Sequence, residues 1–164
     1  EFYAYAADRV RRRREGDASL TNVRLLCADA SEFLRWRCPP GLVRVIHLYF
    51  SDPWPKSRHH KNRVVQDRFL ADAYRALSPD GEIRIVTDHD ELWAWDVAHF
   101  DRWTHGAPPD PAIAELTGGA PAYELRAFDA PQSAGESELV GSNFERKFRI
   151  EGRSFHAGVL RRKG

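Results

Sequence analysis

The chain has 164 residues, 42% of them hydrophobic and 30% charged, with a formal net charge of +1. That length and apolar content suit one domain, residues 1–164, with one sizeable core. No apolar run approaches the roughly 20 residues a membrane span needs, and there is no signal-peptide pattern, so a soluble cytoplasmic protein is expected.

Cys27 and Cys38 have no second thiol at metal-ligand or redox spacing, which argues against a disulfide or a zinc site. The start at Glu1 and the absence of methionine point to a fragment of a longer polypeptide. The small net charge conceals basic clusters at 9–14, 56–68 and 161–163. The middle cluster suggests a polyanionic partner, whereas the Arg11–Arg14 run reads as a solvated helix face.

In chain order, residues 4–15 carry no helix breaker and Gly16 follows as a stop signal, which predicts a helix. Val23–Cys27 predicts a short strand, and the turn at Asp29 opens a short helix over 32–37. Leu42–Phe50 is nearly continuously apolar, the pattern of a central parallel strand buried on both faces. After a polar loop of about a dozen residues, long for a connection, Gln66–Leu77 has helical apolar spacing. Ser78-Pro79-Asp80-Gly81 reads as the turn that closes it, and Glu82–Thr87 alternates as a strand. A helix follows over 91–100. Residues 101–140 read as loops and short elements, Asn143–Phe148 as a short helix and Ser154–Leu160 as a last strand.

Alternating strands and helices indicate an α/β domain with a mainly parallel sheet and helices on both faces. Asp29, Asp52 and Asp88 each fall just beyond a predicted strand, at the edge where such folds place their binding crevice.

The most informative stretch is Phe50-Ser51-Asp52-Pro53-Trp54-Pro55-Lys56-Ser57-Arg58-His59-His60-Lys61-Asn62-Arg63. It joins a carboxylate and a tryptophan to a run of basic groups suited to phosphates, although a solvated basic loop has the same composition. A metal site is not expected, because adjacent histidines rarely point at one ion. This stretch resembles the signature of the bacterial tRNA (guanine-N7)-methyltransferase family, which runs Asp-Pro-Trp, a variable residue, Lys, then Arg-His and further basic residues. The resemblance continues through Val65-Gln66, Phe69-Leu70, Pro79-Asp80-Gly81 and Thr87-Asp88. It returns at Ser142-Asn143-Phe144-Glu145-Arg146, where the family has Thr-Lys-Phe-Glu-Arg.

The resemblance implies a Rossmann-like, class I methyltransferase with an antiparallel last strand. It also implies S-adenosylmethionine as cofactor and transfer of its methyl group to N7 of guanine 46 in the tRNA variable loop. The family's first strand and acidic Gly-x-Gly segment would precede Glu1. Glu1 stands where the family's ribose-binding acidic residue ends the second strand. Asp29 corresponds to the adenine-side contact, and a helix N-cap is its competing role. Asp52 is implied as the catalytic residue and a cofactor contact.

Lys56, Asp88, Ser142, Asn143, Phe144 and Glu145 are implied as substrate contacts, and Arg58, His59, His60, Lys61, Asn62 and Arg63 as RNA contacts. Asp88 could instead cap a helix, Phe144 and Glu145 could be a structural anchor and a helix-end charge, and Trp54 could anchor the loop or stack on a base. Ser142 keeps the family's hydroxyl, while Asn143 loses its cation.

Guanine N7 has an unprotonated lone pair, so the reaction needs no general base. It needs in-line approach and negative charge near a purine that becomes cationic, which Asp52 suits. Two other readings remain at this stage: an S-adenosylmethionine-dependent RNA amine methyltransferase, and a non-catalytic RNA-binding homologue.

Overall fold

The structure, a computed structural model, describes residues 2–132 and 134–164. Helix α1 (Phe2–Asp17) forms where expected, yet it buries none of its side chains. Its arginines are taken up locally: Arg11 pairs with Asp8 and Glu15, Arg12 with Asp8, and Arg13 with Asp17. The run is thus a solvated face, and such exposed pairs add little stability. The strand expected over Val23–Cys27 does not form. No ladder partner lies beside it among the described residues, and an isolated strand cannot satisfy its own backbone.

Helix α2 (Ala30–Trp36) leads into β1 (Val43–Tyr49), and α3 (Asp67–Ala76) runs without a gap into β2 (Leu77–Thr87). Val43 pairs with Leu77 but Val45 with Glu82, so Ser78–Gly81 is not a separate turn but a bulge inside the strand. Glycine is required at its end, since a Cβ on Gly81 would lie 2.9 Å from the Ser78 carbonyl oxygen and 3.0 Å from that of Val43. Beyond β2 come α4 (Asp90–Thr104), α5 (Pro111–Leu116), β3 (Tyr123–Arg126), α6 (Asn143–Ile150) and β4 (His156–Arg162). The expected helices and the last strand appear, while residues 101–140 hold more regular structure than their composition suggests.

The sheet order is β1-β2-β4-β3, with β1 parallel to β2 and the other two pairings antiparallel. The antiparallel last strand is as expected, but the sheet is mixed rather than mainly parallel. β1 is an edge strand among the described residues and leaves Val45 exposed, which corrects its placement at the centre. Ile46, Leu48, Ile83, Ile85 and Leu160 point into one core with Phe69 and Leu70 of α3 and Phe100 and Trp103 of α4. Trp93 packs over Gly158, where a Cβ would meet its ring at 3.0 Å. The opposite face carries His47, Glu82, Arg84 and Arg161 in register. Helices α3 and α4 therefore pack on the same face of the sheet.

Long-range polar contacts lock this layer. Asp67, in the first turn of α3, accepts 2.9 Å hydrogen bonds from Arg102 and from the Trp103 indole, and the buried Tyr123 hydroxyl donates to the Leu70 carbonyl at 2.7 Å. Five buried side-chain polar atoms among the described residues lack a hydrogen-bond partner, and one of them belongs to a carboxylate. Asp96 on α4 is 1% exposed and its Oδ1 has no hydrogen-bond partner. Burial pushes its carboxyl up to about 7, against a smaller opposing pull from Arg63.

With the folded value raised, the unfolded chain releases this proton first as pH climbs, so Asp96 lowers stability progressively from about pH 4 to pH 7. Asp96→Asn should therefore stabilise the fold at pH 8 by on the order of a few kcal/mol, with the gain vanishing near pH 4. Urea melts at the two pH values test this, and a gain independent of pH would contradict it.

Candidate active site

The site is built on the parallel pair. Tyr49 pairs with Val86, and the Phe50 amide extends the ladder by donating to the Val86 carbonyl at 2.8 Å. Asp52 lies three residues beyond Tyr49 and Asp88 two beyond Val86, so register alone brings both carboxylates to the same end of adjacent strands. Phe50 and Trp54 on either side of Asp52 have φ of +54° and +43°. Bulky residues rarely occupy this left-handed region, at a cost of about 1–3 kcal/mol each, and such strain concentrates at functional turns.

Asp52 itself is exposed, and Asp88 is half-buried and paired with Arg153 at 2.5 Å. Asp88 does not cap α4; the His89 ring accepts from the Leu92 amide there instead.

Asp29 is the N-cap of α2, its Oδ1 accepting from the amides of Ser31 at 2.8 Å and Glu32 at 3.0 Å. It does not follow a strand, because Val23–Cys27 forms none. It nevertheless lines a cleft of about 510 Å³ together with Trp54, Lys61, Asn62 and Arg35, and so faces the same loop as Asp52. Asp52 and Asp88 are not in that lining. Glu1 lies outside the described residues.

The basic stretch is ordered by a 3-10 turn, Ser57–Asn62, and by the Gln66 amide, which donates to the carbonyls of Lys61 and Arg63. Lys56, Arg58, Lys61 and Asn62 are exposed, with His59 half-buried edge-on to Trp54 and His60 edge-on to Trp95. Arg63 differs from the RNA contact expected of it. It is 2% exposed and directed inward to the Pro53 carbonyl and to Glu91, so it is not among the cations this loop offers to solvent.

The late segment reaches the same region through aromatics. Phe144 and Phe148 of α6 and Phe155 pack around Phe50, with ring centroids 5.7 to 6.3 Å apart. Ser142 caps α6 by accepting from the Glu145 amide at 3.1 Å, and Asn143 and Phe144 are exposed.

Glu145 is fully buried and bonded within its own chain. Its carboxylate accepts from the amides of Leu139, Val140 and Gly141 and from Arg149. Burial pushes this carboxyl up, but the backbone donors and Arg149 together outweigh burial and leave it below the ordinary 4.5. Sequence reasoning missed Arg153, Glu91 and Trp95, which lie in different elements from the groups they touch. Among the described residues no group of three or more His, Cys, Asp or Glu is placed to hold a metal, and no helix is long and apolar enough to cross a membrane.

A family model described as "Putative methyltransferase" matches residues 1–107. Among curated relatives, a tRNA (guanine-N(7)-)-methyltransferase of Rhodopseudomonas palustris (strain BisB18) is 49% identical over 83 residues, covering 51% of this chain and 33% of that protein. Another of the same name, from Arthrobacter sp. (strain FB24), is 33% identical over 150 residues, covering 82% of this chain and 47% of its own length. The chain belongs to the tRNA (guanine-N7)-methyltransferase family.

The chain spans between a third and a half of the length of these two family members. Among solved structures, an S-adenosylmethionine-dependent methyltransferase from Archaeoglobus fulgidus is 15% identical with a TM-score of 0.40, covering 89% of this chain and 71% of that one.

The Glu145 clamp yields a measurable expectation. Its folded carboxyl lies below the unfolded value, so the clamp is fully present above about pH 4.5 and is lost as pH falls through the folded value. At pH 7, Glu145→Gln should cut hydrogen-exchange protection of the Leu139, Val140 and Gly141 amides by about tenfold. Unchanged protection would show that the loop holds without the carboxylate.

Proposed function

We propose that the full-length protein is a tRNA (guanine-N7)-methyltransferase acting in the cytoplasm, with residues 1–164 as part of a single catalytic domain and guanine 46 of the variable loop as target. The observation that supports this reading best is the register of β1 and β2, which sets Asp52 and Asp88 level at one sheet end, beside a loop exposing Lys56, Arg58 and Lys61. The curated relatives carry that name, and S-adenosylmethionine and tRNA come to this chain as part of the proposal.

The residues present fit the cofactor. Asp29 uses one oxygen to cap α2 and keeps the other for an amino group, and it opens onto the cleft of about 510 Å³. When bound, S-adenosylmethionine supplies an electrophilic methyl on a sulfonium. The protein's own work is then orientation and electrostatics. Asp52, exposed at the strand end, can accept from the N1 and N2 edge of guanine, which selects it over adenine, and can stabilise the positive charge the purine acquires. Asp88, held by Arg153, supplies a second fixed acceptor. Exposed Phe144 lies against Phe50 at 6.3 Å between ring centroids and offers an aromatic face next to Asp52. Lys56, Arg58 and Lys61, with His59 and His60 when protonated, hold phosphates through charge.

The test is incubation of full-length protein with unmodified tRNA and labelled cofactor, then location of the methyl group by strand cleavage at 7-methylguanine. Label at an exocyclic amine would favour the amine-methylating alternative. Asp52→Ala should lower methyl transfer by at least about 100-fold without loss of fold or tRNA binding. Lys61→Ala should weaken tRNA binding and reduce the salt slope by about one, with turnover of bound tRNA kept. Full activity in the Asp52 variant would overturn the mechanism.

A further inference from the structure

Arg63 is the least exposed of the loop's cations, with 1% of its side chain open to solvent. Its Nε donates to the Pro53 carbonyl at 2.9 Å, its Nη2 donates to Glu91 at 2.7 Å, and the guanidinium carbon sits 5.1 Å from the centroid of the Trp95 ring. A group so enclosed cannot reach a phosphate without dismantling these contacts. What it holds is informative. Pro53 is the residue after Asp52, and Glu91 lies in the first turn of α4, three residues after Asp88.

The guanidinium therefore bridges the two segments that carry the carboxylates. On its other side Asp52 is fixed through Phe50, whose amide is bonded to β2. The bridge is itself supported by the Trp95 indole, which donates to the Val65 carbonyl at 2.7 Å. A planar fork with two separate donors suits this task, whereas a lysine offers one point charge.

We propose that Arg63 is a positioning residue that sets Asp52 relative to Asp88 by clamping the Pro53 carbonyl to Glu91, rather than a tRNA contact. The inference rests on the assignment of Asp52 to the reacting centre, since displacement of the loop by a fraction of an ångström then matters for turnover.

The test uses the full-length protein with Arg63→Gln, Arg63→Lys and Glu91→Gln. Arg63→Gln should lower kcat by about 100-fold while the KM for tRNA stays within about twofold. The salt slope of tRNA binding should not change, and trypsin should cut faster after Lys56 and Arg58. Arg63→Lys should recover part of kcat, and Glu91→Gln should fall between. Retained kcat with weaker tRNA binding and a salt slope smaller by about one would make Arg63 a phosphate contact and overturn the proposal.

Should Arg63→Gln fail to fold, Glu91→Gln carries the test, because wild-type kcat and wild-type cleavage there would equally overturn it. The cleavage rate is independent of methyl transfer. Faster cutting in the Arg63 variants beside a fully active Asp52→Ala would remove the site assignment and leave the clamp, while an inactive Asp52→Ala beside unaltered Arg63 variants would do the reverse.

Discussion

The parallel pairing of β1 with β2 is the constraint on which the rest depends. Parallel strands end level at their carboxyl termini, and here Tyr49 opposite Val86 makes the chain leave the sheet twice at one height, once toward Asp52 and once toward Asp88. The core holds that register: Ile46 and Leu48 lie beside Ile83 and Ile85 under α3 and α4, and a one-residue slip of β1 would turn Ile46 and Leu48 toward the charged face. The bulge at Ser78–Gly81 takes up surplus chain before the register begins, so the pairing is continuous from Val45 to Tyr49, where it is needed.

Around this pair, charge divides into two kinds. Lys56, Arg58 and Lys61 remain in solvent, where their value to a polyanion is greatest. Arg63 is buried, while Arg149 and Arg153 keep part of their side chains in solvent, yet all three are engaged by carboxylates or aromatic rings of their own chain. One basic composition thus divides into cations left to solvent and cations paired within the fold, and partnering rather than burial separates the two. The proposed function agrees with this division, since chemistry at an unprotonated ring nitrogen would ask for placed charge rather than for a proton acceptor.

Much of this was legible in the sequence. The helical spacing in Gln66–Leu77 and the Asp-Pro-Trp loop announced themselves through local pattern, and so did the cap at Asp29. What depends on a neighbour did not. Among the described residues, Val23–Cys27 has strand composition but no partner beside it, and Leu42–Phe50 has the apolar run of a central strand yet lies at an edge. Arg63 and Glu145 sit in motifs that read as contacts with an outside molecule, and each instead meets a group of its own chain. Sequence spacing carries no signal for an inward turn of a charged side chain, because the compensating carbonyls and amides belong to any residue type.

The left-handed backbone at Phe50 and Trp54 has a wider consequence. Both bends lie ahead of the basic residues, so the direction in which the loop leaves the sheet is decided before its charges begin. Under the proposed function, exchanges at the exposed positions 56, 58 and 61 would retune the grip on a polynucleotide without altering the aim of the carboxylate. In evolutionary terms, that function would let recognition and reactivity be adjusted separately within a single short connection.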